Sequence, residues 1–439
     1  MQQGALTSIG GREHDVSVGR SAPVSHVRGG SKRDLILREA AKSLNVRGVA
    51  DTSLADIARN VGVTRAALYY YFEDQEDLVF QCYRHTCEIL ARQLNDAAGR
   101  GGDTVAIIGR FIDACTDPNE PETATLCEVA YLSDDNRNTI VGLYEGLIAR
   151  LSGMLMHGAE RGELRRCDPR IAAMALIGVV SWIPLQERWI TSTPFSHTDL
   201  ARAAKGFILD GVAADCGARL DYEPLELSPP DLPQRGVFDG AAMASAKQEV
   251  LLAAASWLFN LKGVDATSLD EIAARVGVTK KVIYHNIGGK EVLLVACYLR
   301  SLNFAISMAE RAGQQEPAGL KALCALMHSH AEARLREDIA PLSGPGGLEY
   351  LPLDAVEAIN DAGVRLYDAA EALYLGGRDG GFLRDQNIGA FLLILPGLVE
   401  WVPKWLCAET VEQRYAIGRE LAEFCAFGLR SIGTPSGGT

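Results

Sequence analysis

The chain is predicted to be all-α and to hold two copies of one helical unit. Three observations carry this expectation. The stretch Thr52-Ser53-Leu54-Ala55-Asp56-Ile57-Ala58-Arg59-Asn60-Val61-Gly62-Val63-Thr64 returns as Thr267-Ser268-Leu269-Asp270-Glu271-Ile272-Ala273-Ala274-Arg275-Val276-Gly277-Val278-Thr279, an offset of 215 that holds without a gap from Lys32/Lys247 to Tyr83/Tyr298. Apolar residues recur at three- and four-residue steps, the spacing of a helix with one buried face. No stretch alternates apolar and polar strictly enough to read as a β-strand. An offset this long is no solenoid period, which runs about 20–50 residues, so a whole domain has been duplicated.

The elements follow in order. Residues 1–30, rich in Gly, Ser and His, read as a disordered tail without the apolar core of a signal peptide. Arg12, Arg20 and Arg28 in it could form an arm into a minor groove, but an idle tail is the expectation. From Lys32 a first helix carries Leu35, Ile36, Ala40, Ala41 and Leu44, and Gly48 stops it. Ser53-x-x-Asp56 is a capping-box-like start for a second helix with Leu54, Ile57, Ala58 and Val61 on its buried face. Gly62 breaks that helix, and Thr64 starts a third carrying Ala67, Leu68 and Phe72. Asp74 opens a long fourth helix to about Asn95. The second copy retraces this through Leu251, Leu252, Ala255 and Phe259, then Gly263, Ser268-x-x-Glu271, Gly277 and Thr279.

Each head leads into a helical body of roughly 130 residues, about one domain's length. The bodies match more weakly. Gly162-Glu163-Leu164-Arg165 parallels Gly381-Phe382-Leu383-Arg384, and Trp182-Ile183-Pro184 parallels Trp401-Val402-Pro403, now at an offset of 219. The Pro341–Gly347 stretch is a plausible place for the extra residues. Between the copies, Pro224, Pro229, Pro230 and Pro233 among polar residues predict a semi-extended linker. The expected division is 1–30 tail, 31–83 first head, 84–216 first body, 217–245 linker, 246–298 second head and 299–433 second body.

Composition bounds the function. With 48% hydrophobic and 23% charged residues, the 439-residue chain is an ordinary globular protein with sizeable cores. Ten cysteines without a CxxC pair read as reduced thiols of a cytoplasmic protein. Ile171–Leu185 and Ile388–Val399, the longest apolar runs, are shorter than the roughly 20 residues that span a bilayer, so no membrane partner is expected. The net charge of −13 argues against a surface coated for nucleic acid but leaves room for a local basic face. His328-x-His330-x-Glu332 has a spacing that does not bring side chains together on a helix, so no metal site is expected. There is no nucleophile elbow, Walker loop, HExxH or dinucleotide fingerprint. The chain is not expected to be an enzyme or to hold a cofactor.

Two short helices joined by a glycine turn form a helix-turn-helix. Gly62 and Gly277 fit a turn where a Cβ would strain the backbone. Ala58 and Ala273 are small where the helices cross, and Val61, Val63 and Leu68 (Val276, Val278 and Ile283) pin the reading helix. The carrying residues Thr52-Ser53-Leu54-x-x-Ile57-Ala58-x-x-Val61-Gly62-Val63-Thr64-x-x-x-Leu68-Tyr69-Tyr70-Tyr71-Phe72, followed by Glu76-x-Leu78, resemble the N-terminal domain of the tetracycline-repressor (TetR) family of bacterial transcription regulators. The second copy departs from the pattern at His285-Asn286-Ile287, where the first has Tyr70-Tyr71-Phe72, and at Gly288-Gly289-Lys290, where the first has Glu73-Asp74-Gln75.

The resemblance implies double-stranded DNA as partner and assigns roles. Thr64 and Thr279 would donate to phosphates or bases from the start of the reading helix. Arg65, Ala66, Lys280 and Lys281 would face bases, with Tyr70 and His285 nearby. Tyr69 and Tyr284 match the family's phosphate-contacting tyrosine. Thr52 and Thr267 would touch the DNA backbone, and Gln75 and Lys290 occupy the position where the family often places a cation against a phosphate. Trp182, Trp189, Trp401 and Trp405 lie on apolar helices that in the family flank the effector pocket and the dimer interface. The expected architecture is a pseudo-twofold intrachain dimer, made by packing the C-terminal helix pairs of the two bodies, with further homodimerisation left open. The expected function is a ligand-responsive repressor that reads two non-identical half-sites and answers to an apolar or amphipathic small effector. The alternative is a sensor or protein-interaction module of the same fold whose heads have lost DNA.

Overall fold

The computed structural model describes residues 31–185, 194–228, 240–314, 319–344, 346–348 and 351–431. The tail with Arg12, Arg20 and Arg28, part of the linker, and Trp189 lie outside these. The first copy comprises α1 (Lys32–Arg47), α2 (Leu54–Val61), α3 (Arg65–Leu68), α4 (Gln75–Gly99), α5 (Thr104–Cys115), α6 (Asp134–Glu160), α7 (Pro169–Trp182) and α8 (His197–Asp210). The second comprises α9 (Gly240–Lys262), α10 (Leu269–Arg275), α11 (Lys280–Asn286), α12 (Lys290–Gly313), α13 (Leu320–Arg334), α14 (Leu353–Asp379), α15 (Ile388–Ile394), α16 (Val402–Trp405) and α17 (Val411–Phe427). Among the described residues there is no strand, only two isolated bridges.

Local chemistry sets the boundaries. Ser31 and Asp34, and Ser268 and Glu271, form reciprocal capping boxes that satisfy amide groups left open at α1 and α10. Ser53 caps α2 through the Asp56 amide, and Gly62 ends it in the left-handed region at φ +74°. Gly277 takes φ +70° at the same place in copy two. The third element differs between copies. α3 has 4 residues and passes into turns through Tyr71, whereas α11 has 7.

One hydrophobic core runs through the first head and both bodies, from Ile36 and Leu68 to Phe391 and Phe424. The second head has a separate core built on Leu251, Phe259, Ile272, Ile283 and Tyr298, closed by Leu342, Leu351 and Ile359. Three stretches, Asp134–Glu160, Lys290–Gly313 and Ile388–Trp405, are apolar and long enough to cross a membrane by length and composition. The first two lie outside the apolar runs read from the sequence. Each packs one face on neighbours, α6 against α4 and α7, α12 against α14, and leaves Leu143, Met156 and Val292 exposed.

The bodies meet through α7 and α8 on one side and α15, Leu395–Leu398 and α17 on the other. The contacts are reciprocal, as in an isologous interface. Val212 N–H donates to Cys425 O, and Leu429 N–H donates to Ile208 O. Arg165 N–H donates to Leu429 O, and Arg384 N–H donates to Val212 O. Gly178 and Gly397, related by the 219 offset, face each other. Trp401 lies over Gly178, where a Cβ would stand 2.3 Å from its ring, and Trp182 lies over Gly397. Gly211 and Gly428 repeat the arrangement at the other end of the seam.

The linker departs from expectation. Its N-terminal part is not a free spacer but a strap bound to the second body. Tyr222 Oη bonds His328 Nδ1 at 2.9 Å, the Arg419 guanidinium lies 5.5 Å over the Tyr222 ring, and Leu225 N–H donates to Ser329 Oγ. Arg419, Arg311 and Arg336 donate to the carbonyls of Leu220, Glu226 and Leu227. Apolar residues at short intervals explain the docking: Tyr222 and Leu225 are buried, and Leu220 and Leu227 are partly so. Tyr222→Ala is expected to destabilise the chain by roughly 3 kcal/mol, from lost burial and an unpaired buried imidazole. Urea unfolding measures it, and a loss below about 1 kcal/mol would mean the strap is not held by this residue.

Candidate nucleic-acid interface

Each head sets its reading helix on a buried anchor. Leu68 and Ile283 are 1% and 0% exposed, while Thr64, Arg65, Ala66, Thr279, Lys280 and Lys281 stand on the open face beside them. Tyr69, Tyr70 and Tyr284 are 47%, 85% and 54% exposed, which is rare for rings with nothing to cover, and His285 is exposed beside them. All ten residues are exposed, five in each head.

The details differ between heads. Thr64 Oγ1 accepts from Ala67 N–H at 3.2 Å and caps α3, which leaves its O–H to donate outward. Thr279 is the cap residue of α11 but makes no such bond. Arg65 donates to Tyr69 Oη at 3.3 Å, holding cation and phenol together. Lys280 pairs with Asp270 at 3.2 Å, an exposed ion pair of the kind worth little against a phosphate. Positive potential on the second face therefore rests on Lys281 together with an exchangeable Lys280.

Four of the expected DNA-facing residues are placed otherwise. Thr52 and Thr267 are buried, 3% and 1% exposed, because their hydroxyls are spent inside the head. Thr52 Oγ1 donates to Gly48 O, and Thr267 Oγ1 donates to Gly263 O at 2.8 Å, closing the loop before α2 and α10. Gln75 Nε2 donates to Val49 O at 2.8 Å and lies near Thr52 O. Lys290 Nζ lies 3.4 Å from Asp265 O, and half-burial lowers its pKa. Gln75 and Lys290 reach the loops before α2 and α10. Their polar heads are internal ties, a use that motif position alone does not reveal.

Trp182 is buried with its indole N–H on Leu393 O, and Trp401 and Trp405 are partly buried on the main core. The thiols are spread out. Burial pushes Cys87 and Cys297 up to about 12, and Cys82 higher still, so none of these is activated as a nucleophile. His328 and His330 are taken up by Tyr222 and Arg334.

The family described as bacterial regulatory proteins, tetR family, matches twice, at residues 36–82 and 251–297. A tetracyclin repressor-like C-terminal domain matches residues 105–212. The transcriptional regulator AcrR of Shigella flexneri is 46% identical over 192 residues, 40% of this chain and 85% of AcrR. The probable regulator ArpR of Pseudomonas putida is 47% identical over 180 residues, 36% of this chain and 80% of ArpR. The crystal structure of AibR in complex with isovaleryl coenzyme A and operator DNA is 21% identical, covers 40% of this chain and 97% of its own, and superposes with a TM-score of 0.34. The chain belongs to the TetR family, and it is a DNA-binding transcriptional regulator with two family DNA-binding domains in tandem.

Proposed function

We propose that a single chain of this bacterial regulator supplies both reading heads for one split operator and acts as a ligand-responsive repressor. The observation that carries this reading is the reciprocal seam between the bodies, in which matching backbone groups of the two copies exchange hydrogen bonds. A family dimer joins two chains to set two reading helices about one helical turn apart on duplex DNA, and the tethered second copy does the same at high effective concentration. The division 31–83, 84–216, 246–298 and 299–433 describes the units, with 217–245 serving partly as strap.

In this reading Thr64, Arg65, Ala66, Tyr69 and Tyr70 serve one half-site, and Thr279, Lys280, Lys281, Tyr284 and His285 the other. The reading positions differ, so the half-sites differ. An effector that binds better to the conformation with wrongly spaced heads releases the operator by population shift.

Selection of bound sequences from a random DNA pool tests the reading. An asymmetric pair of half-sites supports it. A perfect palindrome, or no retention at low salt by folded protein, counts against it, the second outcome favouring a sensor that has lost DNA. Replacing Lys280 and Lys281 together with alanine is expected to weaken binding at one half-site only and to lower the salt slope by about 0.9 for each phosphate no longer neutralised. Gel retardation with the half-sites scrambled in turn reads this, and equal weakening at both would refute the division of labour.

A further inference from the structure

The pseudo-symmetry breaks at one place. Trp182 and Trp401 are counterparts, each lying over the other copy's glycine, yet only Trp182 has a partner for its indole N–H, the Leu393 carbonyl at 3.1 Å. Trp401 Nε1 is buried and unpartnered among the described residues, and so is Ser343 Oγ. Buried donors in this state cost free energy comparable to a lost hydrogen bond, so each calls for an explanation. Both residues line a cavity of about 110 Å³ between the copies.

The walls say what the cavity joins. Ile177, Trp182 and Tyr144 come from the first body, Trp401 and Trp405 from the second, and Phe259 and Val264 from the first helix of the second head and the loop after it. The last two belong to the separate core of that head, and Ile177, Tyr144, Trp401 and Trp405 to the main core or its margin. The cavity therefore sits on the seam between a rigid double body and one head. Of the charged groups in its lining, Glu400 is ion-paired, while Lys404 and Glu128 meet only backbone groups. Glu400 pairs with Arg334 and accepts from Gly344 N–H, and Lys404 donates to Cys127 O. What remains is apolar wall, aromatic faces and two unused polar atoms.

We infer that this seam is the effector site, one per chain, for a neutral single-ring aromatic that carries a carbonyl acceptor for Trp401 Nε1 and Ser343 Oγ. At about 110 Å³ it is smaller than the roughly 150 Å³ apolar cavity that takes benzene, so a single ring is its upper limit and any acyl group must lie towards its open side. Lys404 and Glu128 bring opposite charges to the lining, so no net charge favours an ionic ligand. The inference rests on the DNA-reading function proposed above. It goes further in setting the ligand between copies, against the second head, and not within one body. Occupancy wedges that head relative to the seam, which gives the ligand a differential grip on two head positions.

Equilibrium dialysis of the full chain against acetophenone, without DNA, tests the site. The expected result is saturable binding of one ligand per chain, weakened roughly tenfold by Trp401→Phe, which keeps an aromatic ring and removes the donor. Ser181→Phe, placed to fill the cavity from α7, is expected to abolish binding while the far-ultraviolet helical signal stays intact. No saturable binding, two sites per chain, or unchanged affinity in both variants overturns the site. A second arm adds acetophenone to DNA already shown to be retained. Release by wild type but not by Ser181→Phe supports the effector role, and unchanged retention refutes it. Failure of DNA reading would already be visible before any ligand is added.

Discussion

Gly211→Ala is expected to destabilise the protein by roughly 2–6 kcal/mol and to weaken operator binding with it. Two costs add at this position. The backbone sits at φ +62° and ψ −153°, a region that only glycine occupies without strain of about 1–3 kcal/mol. A methyl there would stand 2.3 Å from Ala426 O and 2.5 Å from Gly428 N, which are backbone atoms of the other copy and cannot rotate aside. Overpacking of this sort costs a further 1–3 kcal/mol or so. The damage also reaches function, because the displaced segments are those through which Val212 and Leu429 exchange hydrogen bonds across the seam. Gly428→Ala is expected to match it, since that Cβ would meet Gly211 N at 2.6 Å. The double variant should lose less than the sum, because one separation of the segments relieves both clashes. Urea unfolding followed by circular dichroism gives the numbers. A loss under about 1 kcal/mol in either single variant would show that the seam yields where the close approach says it cannot.

The second large effect is on pH. His328 lies fully buried between Tyr222 and Tyr415, and Gly418 makes room for its ring, with a Cβ position 2.5 Å from Cδ2. Burial, helped by the nearby Arg419 guanidinium, holds its pKa down at about 4. His330 is pushed down to about 3 by burial and Arg334. A histidine kept neutral in the fold binds fewer protons than it does unfolded. The stability it contributes is therefore complete above about pH 6.5 and is lost as pH falls through 6.5 towards 4. For His328 the full loss is roughly 2–3 kcal/mol. His328→Asn keeps an acceptor for the Tyr222 hydroxyl and removes the titration. Its stability should fall less steeply between pH 6.5 and 4.5, by up to about 1.4 kcal/mol per pH unit. A wild-type slope in that variant would show that protons enter elsewhere first.

The heads were legible because their constraints are local. Gly62 and Gly277 each need a left-handed turn, Ala58 and Ala273 a close crossing, and Ser53 and Ser268 a cap, and all are met at the expected places. The seam was legible in outline, since the 219 offset already pairs Gly178 with Gly397 and Trp182 with Trp401. Three matters were not. Thr52, Thr267 and Gln75 sit at positions where the motif invites a phosphate, but an internal carbonyl already takes the donor of each. The strap was hidden by its prolines, although Leu220, Tyr222, Leu225 and Leu227 form an apolar signal among them. The unpaired Trp401 indole could not be read at all, because its orphaning depends on which carbonyls of the facing copy come near.

The seam also bears on how such a switch behaves when scarce. Partners that meet by diffusion part again on dilution, so occupancy of their target falls with the square of abundance. Halves born on the same ribosome never have to find each other. On the proposed single-chain reading, a cell holding only a handful of these molecules keeps every one of them competent, and the response to a falling supply is linear.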